Sequence, residues 1–130
     1  MKNRGVRVDA QTYFLPFILG NSREAHRLSV KIFRKYGIIS LVCSPERSLL
    51  DFFDFTCRFV GILSTESDRL LCEQLIDLSK QNPFTLPILV PVDGRYKKSV
   101  CDNAGMLEKT FILSSAEKLF TDSPLATLHV

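Results

Sequence analysis

The sequence predicts an α/β fold: a Rossmann-like, three-layer α/β/α sandwich on a mainly parallel sheet of about five strands. Two observations predict it. Short apolar runs alternate along the chain with segments whose apolar residues recur at helical spacing, as expected of strands joined by crossover helices. The runs are almost continuously apolar, which is typical of strands covered on both faces of a parallel sheet. Because such crossovers are right-handed, helices should cover both faces.

Length and composition favour one domain over residues 1–130, with residues 1–12 as a polar N-terminal tail. Of the 130 residues, 45% are hydrophobic and 24% are charged, which suits a globular protein with its own core. No apolar run reaches the roughly 18 residues that span a bilayer, and the first dozen residues lack the apolar stretch of a signal peptide. We therefore expect a cytoplasmic protein that contacts no membrane.

Cysteines and histidines predict neither a metal site nor a catalytic site. The four cysteines are Cys43, Cys57, Cys72 and Cys101. Their spacing excludes a zinc-knuckle or redox pair, and reduced structural thiols are expected. His26 and His129 supply no set of metal ligands and no nucleophilic triad. His26 is expected at the surface or edge of its helix. The prediction is thus no catalytic residue, no metal and no cofactor.

The first apolar run, Tyr13 to Leu19, predicts a buried strand that ends at a turn made by Gly20. Pro16 has no N–H to donate, so either the strand begins after it or Pro16 lies where no donor is needed. Ser22 stands at an N-cap position and starts the most regular helical pattern in the chain, which ends at Gly37.

The remaining segments continue the alternation. Further strands are predicted at Ile38 to Cys43, Cys57 to Leu63, Leu86 to Val92 and Thr110 to Leu113. Further helices are predicted from Ser64 or Thr65 to Pro83, over Arg95 to Glu108, and over Ser114 to Phe120. The first of these has Leu70, Leu71, Leu75 and Leu78 as its buried stripe. The run Leu49 to Phe55 fits either a short helix or a hydrophobic loop packed on the core.

Ligands of such folds bind at the carboxyl ends of the strands, near the point where strand order reverses. The turns after the first and fourth strands therefore supply the candidate ligand-binding residues. These are Gly20, Asn21, Ser22, Arg23, Asp93, Gly94, Arg95 and Tyr96. Helix-start amides together with Arg23 suit a carboxylate or phosphate. The alternative is local: turn glycines, two N-caps and solvated arginines.

No nucleotide-binding fingerprint accompanies the first turn. A dinucleotide loop needs three glycines and only Gly20 is present, and no Walker-type loop occurs. The charge is uneven, since residues 1–40 carry eight basic and two acidic side chains against nine and twelve in the remainder. Such asymmetry can mark an anion-binding end. Its main source is one helix face, formed by Arg23, Arg27, Lys31, Arg34 and Lys35. Without interleaved exposed aromatics, a solvated face is favoured over nucleic-acid binding.

Two segments resemble the N-terminal part of ATP-grasp carboxylate–amine ligases. The first, "FILGNSREAHRLSVKIFRKYGIISLVC", has a strand ending in a glycine turn, a helix closing with Tyr-Gly, and an Ile/Ser-rich second strand. The second, "LLCEQLIDLSKQNPFTLPILVPVDGRYKKSVCDNAGMLEKTFIL", has a helix, a buried strand, a turn with an acid and a tyrosine, and a short helix before "TFIL". The resemblance covers about residues 14–113.

The resemblance implies the pre-ATP-grasp domain, which forms the acceptor-substrate side of the ligase cleft through its strand-end turns. By position it points to Gly20, Asn21, Ser22, Asp93, Gly94 and Tyr96. The family binds ATP and magnesium on two later domains that this chain lacks, so the isolated chain is expected to be non-catalytic. The implied ligand is a small carboxylate-bearing molecule, and the implied partners are ATP-grasp domains in another chain or a second copy.

Two other functions stay open. One is a protein–protein interaction module, with the runs Leu49 to Phe55 and Pro124 to Val130 as candidate contact surfaces. The other is a small flavodoxin-like nucleotide-binding protein, which would need a phosphate loop that the sequence does not display.

Overall fold

The computed structural model describes residues 14–48, 51, 54–63 and 66–121, and it confirms the predicted α/β fold class. The strands of this part are β1 (Phe14–Leu19), β2 (Ser40–Ser44), β3 (Cys57–Gly61), β4 (Leu86–Pro91) and β5 (Ile112–Leu113). The helices are α1 (Arg23–Tyr36), α2 (Asp68–Lys80), α3 (Gly94–Asp102), α4 (Ala104–Leu107) and α5 (Ala116–Thr121). The strands form one parallel sheet in the order β3-β2-β1-β4-β5.

Helices cover both faces of the sheet, so the architecture has three layers. Successive side chains of a strand point to opposite faces. Phe17 and Leu19 of β1 therefore join a core covered by α2, α3 and α4, whereas Phe14 and Ile18 join a core covered by α1 and α5. The predicted Rossmann-like sandwich thus has a separate apolar core on each side of its central strand.

The strand order reverses between β1 and β4. The chain steps from β1 to β2 and β3 on one side, then returns past β1 to β4 and β5 on the other. Leu19 is in register with Pro91, so the turns after β1 and β4 lie side by side. This is the order of dinucleotide-binding sheets, and it differs from the order 2-1-3-4-5 of flavodoxin-like proteins.

Pro16 lies inside β1, and the ladder tolerates it. The backbone amide of Gly20 donates to Cys43 of β2, so by alternation the amide position of Pro16 also faces the β2 side. Pairing between β1 and β2 begins only at Phe17. The missing N–H of Pro16 therefore removes no hydrogen bond from the sheet. The strand begins at Phe14, and Pro16 lies where no donor is needed, which is one of the two predicted alternatives.

Two helices differ in their limits from the prediction. α2 has Ser67 as its N-cap, whose hydroxyl accepts from the Leu70 amide; Ser64 and Thr65 lie outside the described residues. The single helix predicted over Arg95 to Glu108 is interrupted at Asn103. The Asn103 side chain donates to Asp68 and to a backbone carbonyl of α3, and these bonds replace the continuous helix.

The buried stripe of α2 is also rotated from its prediction. Leu71 and Leu75 stand one turn apart and face the sheet, each less than a tenth exposed. Leu70 was predicted to be buried, but it is 51% exposed. Because Leu71 takes the sheet-facing position, its neighbour Leu70 is turned towards solvent.

The β2–β3 connection comprises residues 45–56, and its described residues Asp51, Asp54 and Thr56 contact the N-terminal half of α1. Of the run Leu49 to Phe55, only Asp51, Asp54 and Phe55 belong to the described residues. The two predicted alternatives for this run, and the tails 1–12 and Pro124 to Val130, therefore lie outside them. In the part of the chain that the structure describes, no helix is long and apolar enough to cross a bilayer.

Candidate functional site

The turn after β1 lies beside the turn after β4, at the point where strand order reverses. Gly20 has φ 123°, and a Cβ placed on it would lie 2.8 Å from Cγ2 of Val92. Only glycine allows this combination of left-handed backbone and close approach. Ser22 is the N-cap of α1, because its hydroxyl accepts from the Ala25 amide at 3.3 Å.

In the turn after β4, polar side chains also interact with residues close to them in sequence. Asp93 is the N-cap of α3, with one carboxylate oxygen accepting from the Tyr96 amide at 2.9 Å. Tyr96 is buried in the core, and the Arg95 guanidinium lies 5.6 Å from the centre of its ring. Gly94 opens α3. The two turns do come together as predicted; ligand contact by these residues stays a prediction.

The Asn21 side chain contacts the β2–β3 connection. Its side-chain nitrogen donates to Asp51 at 2.9 Å and to the Glu46 carbonyl at 3.0 Å. Its side-chain oxygen lies 3.0 Å from Nε2 of His26 and accepts from the Ser48 hydroxyl at 3.3 Å. Asn21 therefore fastens the connection to the start of α1.

His26 lies at the centre of this arrangement, and its predicted place at the surface is wrong. It is only 6% exposed, because the β2–β3 connection covers this part of α1. Nδ1 lies 2.7 Å from Asp54 Oδ2, and Nε2 lies 3.2 Å from Asp51 Oδ1. A buried imidazole is thus held between two carboxylates. We call Asn21, His26, Asp51, Asp54 and Cys57 the histidine cluster.

Most oxygens of the two acids have further donors. Asp51 Oδ2 accepts from the Ser48 amide at 2.6 Å, and Asp54 Oδ1 accepts from the amide and the hydroxyl of Thr56. Asp51 Oδ1 is the exception. It is buried and has no well-aligned hydrogen-bond donor among the described residues, although His26 Nε2 lies nearby.

Cys57 completes the histidine cluster at the start of β3. Its Sγ lies 3.8 Å from His26 Nδ1. Burial raises the pKa of the Cys57 thiol to about 12, and the Asp54 charge adds to the effect. For Asp54, burial raises the pKa, but hydrogen bonds from Thr56 and His26 outweigh burial and hold it below the usual range. A neutral thiol beside an ionised acid does not make a cysteine nucleophile.

A cationic groove of about 500 Å³ runs along the exposed side of α1 beside the histidine cluster. Its lining residues are Arg23, His26, Arg27, Val30, Lys31, Arg34 and Asp54. The four cations recur at helical spacing and span about 16 Å of α1. Within the described ranges, none of the four has a carboxylate close enough for an ion pair. Arg23 is the predicted site residue that lines this groove.

No protein-family model, curated protein or solved structure matches this chain. The resemblance to ATP-grasp ligases therefore stays a prediction.

The sequence does contain a signal for the histidine cluster. His26 falls between Ala25 and Leu28 on the buried side of α1, and Ser29 follows one turn later. Asp51 and Asp54 interrupt an apolar run three residues apart. A charged residue inside an apolar segment needs a buried partner, and a histidine on a buried helix face is one that two acids would satisfy.

Proposed function

We propose that this chain is a non-catalytic, Rossmann-like domain that binds an anionic ligand in the cationic groove along α1. The ligand carries carboxylate or phosphate groups. The observation that carries the proposal is the row of four cations, Arg23, Arg27, Lys31 and Arg34, none of them ion-paired within the described part of the chain. Like charges one turn apart destabilise a helix, and an anion lying along the row removes that repulsion.

This surface is not formed by the helix face alone. Six of its seven lining residues belong to α1, and the seventh is Asp54 of the β2–β3 connection. The volume of about 500 Å³ is in the range of small-molecule sites, about 300–1,000 Å³. His26 and Val30 add a polar edge and an apolar contact to the cationic lining.

The resemblance to ATP-grasp ligases supports the same kind of ligand. The N-terminal domain of that family lies on the acceptor-substrate side of the cleft, and a small carboxylate-bearing molecule is the ligand it implies. Arg23, predicted from its place at the start of the helix, lines the groove, whereas the six residues that the resemblance implies are not among the lining residues. In this proposal the chain supplies a binding surface, and ATP-grasp domains in another chain would supply ATP and magnesium.

The proposal is tested by thermal unfolding with ATP, tripolyphosphate and citrate as probes. Bound ligand stabilises the native state by about 2.7 kcal/mol at 100 times Kd, so at least one probe should raise Tm. The double variant Arg23→Gln/Arg27→Gln should lose most of that rise. Lys80→Gln/Lys109→Gln removes the same charge from exposed positions elsewhere and should keep it.

Two outcomes contradict anion binding in the groove. One is the absence of a Tm shift in the unchanged protein with all three probes. The other is an equal loss in both double variants, which would trace the shift to net charge rather than to α1.

A protein–protein interaction module is the second candidate. Among the described strands β3 lies at an edge of the sheet, and it is flanked by Phe55 and Leu63, which are 87% and 75% exposed. Apolar side chains beside an open strand edge favour contact with another chain. Sedimentation velocity over a range of concentrations should show association that Phe55→Ser weakens. A monomer at every concentration would exclude self-association through this edge.

A further inference from the structure

Three donor atoms of the histidine cluster lie together in the manner of metal ligands. His26 Nδ1, a carboxylate oxygen of Asp54 and Cys57 Sγ are all within 4.8 Å of one another. No other trio of His, Cys, Asp or Glu in the described ranges has this proximity. The three residues come from α1, the β2–β3 connection and β3, so the tertiary fold assembles them.

Of the two distances between ligand atoms, one is close to that of a tetrahedral ion and the other is too short. With ordinary zinc bond lengths, tetrahedral geometry sets sulfur and nitrogen ligands about 3.6 Å apart, and nitrogen and oxygen ligands about 3.4 Å apart. Here Sγ lies 3.8 Å from Nδ1. Asp54 Oδ2 lies 2.7 Å from Nδ1, so it has to withdraw by about 0.7 Å. We propose that His26, Asp54 and Cys57 bind a divalent transition metal, with Zn²⁺ as the preferred ion.

The choice of Zn²⁺ follows from the donor set. A thiolate and an imidazole favour zinc over magnesium or calcium, which take oxygen ligands. Binding exchanges protons for the metal: the Cys57 thiol and His26 Nδ1 each release any proton they carry to solvent, and both atoms then form a bond to the ion. The charges of one thiolate and one carboxylate balance the two charges of Zn²⁺.

An independent observation is that the proposed ligands His26 and Asp54 already have hydrogen-bond partners that would orient them. A metal-bound histidine donates its other N–H to an oxygen that orients the ring. His26 Nε2 faces Asn21 Oδ1 at 3.0 Å and Asp51 Oδ1 at 3.2 Å. The Asp51 oxygen is buried and has no aligned donor in the described part of the chain. Thr56 likewise fixes the second oxygen of Asp54 through two hydrogen bonds.

Three protein ligands leave a fourth position. Two of them, His26 and Asp54, line the cationic groove, and water or an anionic oxygen would suit the fourth position. The metal site does not depend on anion binding; only the identity of the fourth ligand rests on the proposed function.

The test is a titration with Co²⁺ of protein that a chelator has freed of metal. The buffer contains a reductant that has no thiol group of its own. We expect one ion per chain, a thiolate-to-cobalt charge-transfer band, the visible spectrum of tetrahedral Co²⁺, and displacement by Zn²⁺. Cys57→Ser should lose the charge-transfer band. Cys72→Ser and Cys101→Ser should keep it, and circular dichroism checks that each variant is folded.

Asn21→Ala tests the positioning role separately, because Asn21 Oδ1 is the aligned acceptor beside His26 Nε2. It should weaken zinc binding about 10–100-fold, as loss of an orienting partner does, while the cobalt spectrum keeps its form. Absence of a charge-transfer band, or a band that survives in Cys57→Ser, overturns the site. The two proposals can fail separately. If no anion raises Tm but the cobalt spectrum appears, only the proposed function is contradicted. If an anion raises Tm but no charge-transfer band appears, only the metal site is contradicted.

Discussion

His26 Nδ1 lies 2.7 Å from Asp54 Oδ2, although the two residues are 28 positions apart in the sequence. Their side chains are 7% and 10% exposed. Asp51 approaches the other nitrogen of the same ring and is 1% exposed. These contacts attach the β2–β3 connection to α1, so the stability of the native state depends on keeping them.

Asp54→Ala should lower the free energy of unfolding by about 1–3 kcal/mol, because it leaves buried hydrogen-bond donors without their acceptor. The substitution leaves His26 Nδ1 and the Thr56 amide without their acceptor. Urea unfolding followed by circular dichroism, in the presence of a chelator, measures the change. A loss below about 1 kcal/mol would show that water replaces the carboxylate at little cost.

Asp102→Ala is the matched control for this measurement. It breaks the ion pair with Lys98, whose two side chains are 80% and 53% exposed. Exposed pairs contribute about 0–1 kcal/mol, because water screens them. Of the two alanine variants, Asp54→Ala should therefore have the larger effect.

Gly20→Ala should lower the free energy of unfolding by about 1–3 kcal/mol, since a left-handed backbone strains any residue with a Cβ. The new Cβ would also lie 2.8 Å from Val92 Cγ2. Gly105→Ala is the control, because a Cβ there meets no atom within 4 Å. At that helical position alanine should leave stability unchanged or raise it by up to about 1 kcal/mol. Equal effects of the two variants in urea unfolding would contradict the role of Gly20.

The local pattern of the sequence predicts the strands and the main helices, but their limits depend on distant partners. Ile38 to Cys43 was predicted as the second strand, whereas β2 spans Ser40–Ser44. The shift arises because Ser40 pairs with Cys57 and Leu41 pairs with Phe17. Neither partner is adjacent in sequence, so the spacing of apolar residues alone does not set the register.

For the candidate site residues too, roles set by neighbouring residues were predicted and roles set by distant residues were not. The capping roles of Ser22 and Asp93 were predicted as the local alternative, because a cap needs only its own helix. The contacts of His26 were missed, because they come from Asp51 and Asp54 of the irregular β2–β3 connection and from Cys57 at the start of β3, 25 to 31 positions further along the chain. A helical wheel shows that His26 is near the buried face, but not which acids cover it.

Tyr96 should make stability fall at high pH. Burial raises the pKa of its phenol, the Asp93 charge adds to this, and Arg95 opposes it. Because the folded pKa is above the unfolded value, the contribution is fully present below about pH 10, the pKa of exposed tyrosine. It is lost as pH rises through the folded pKa. Unfolding free energies of Tyr96→Phe, compared with the unchanged protein from pH 8 upwards, should show a shallower decline in the variant. Parallel curves would contradict the shift.

Cys101 should be the first thiol to react in the native protein. It is exposed, whereas Cys43, Cys57 and Cys72 are buried. Burial also raises the pKa of Cys43 to about 12 and that of Cys72 in the same direction, so these thiols lack the reactive thiolate form. Brief alkylation of metal-free protein followed by mass spectrometry should therefore add one label.

The matched variant for the labelling experiment is Cys101→Ser, which should take up no rapid label in the native state. Urea should expose the remaining three thiols, so their labelling rate in water reports opening of the fold rather than thiol chemistry. Rapid labelling of Cys57 in the native variant would mean that the β2–β3 connection opens independently of the two cores. Slow labelling at the rate of global unfolding would instead place the histidine cluster within the cooperative unit.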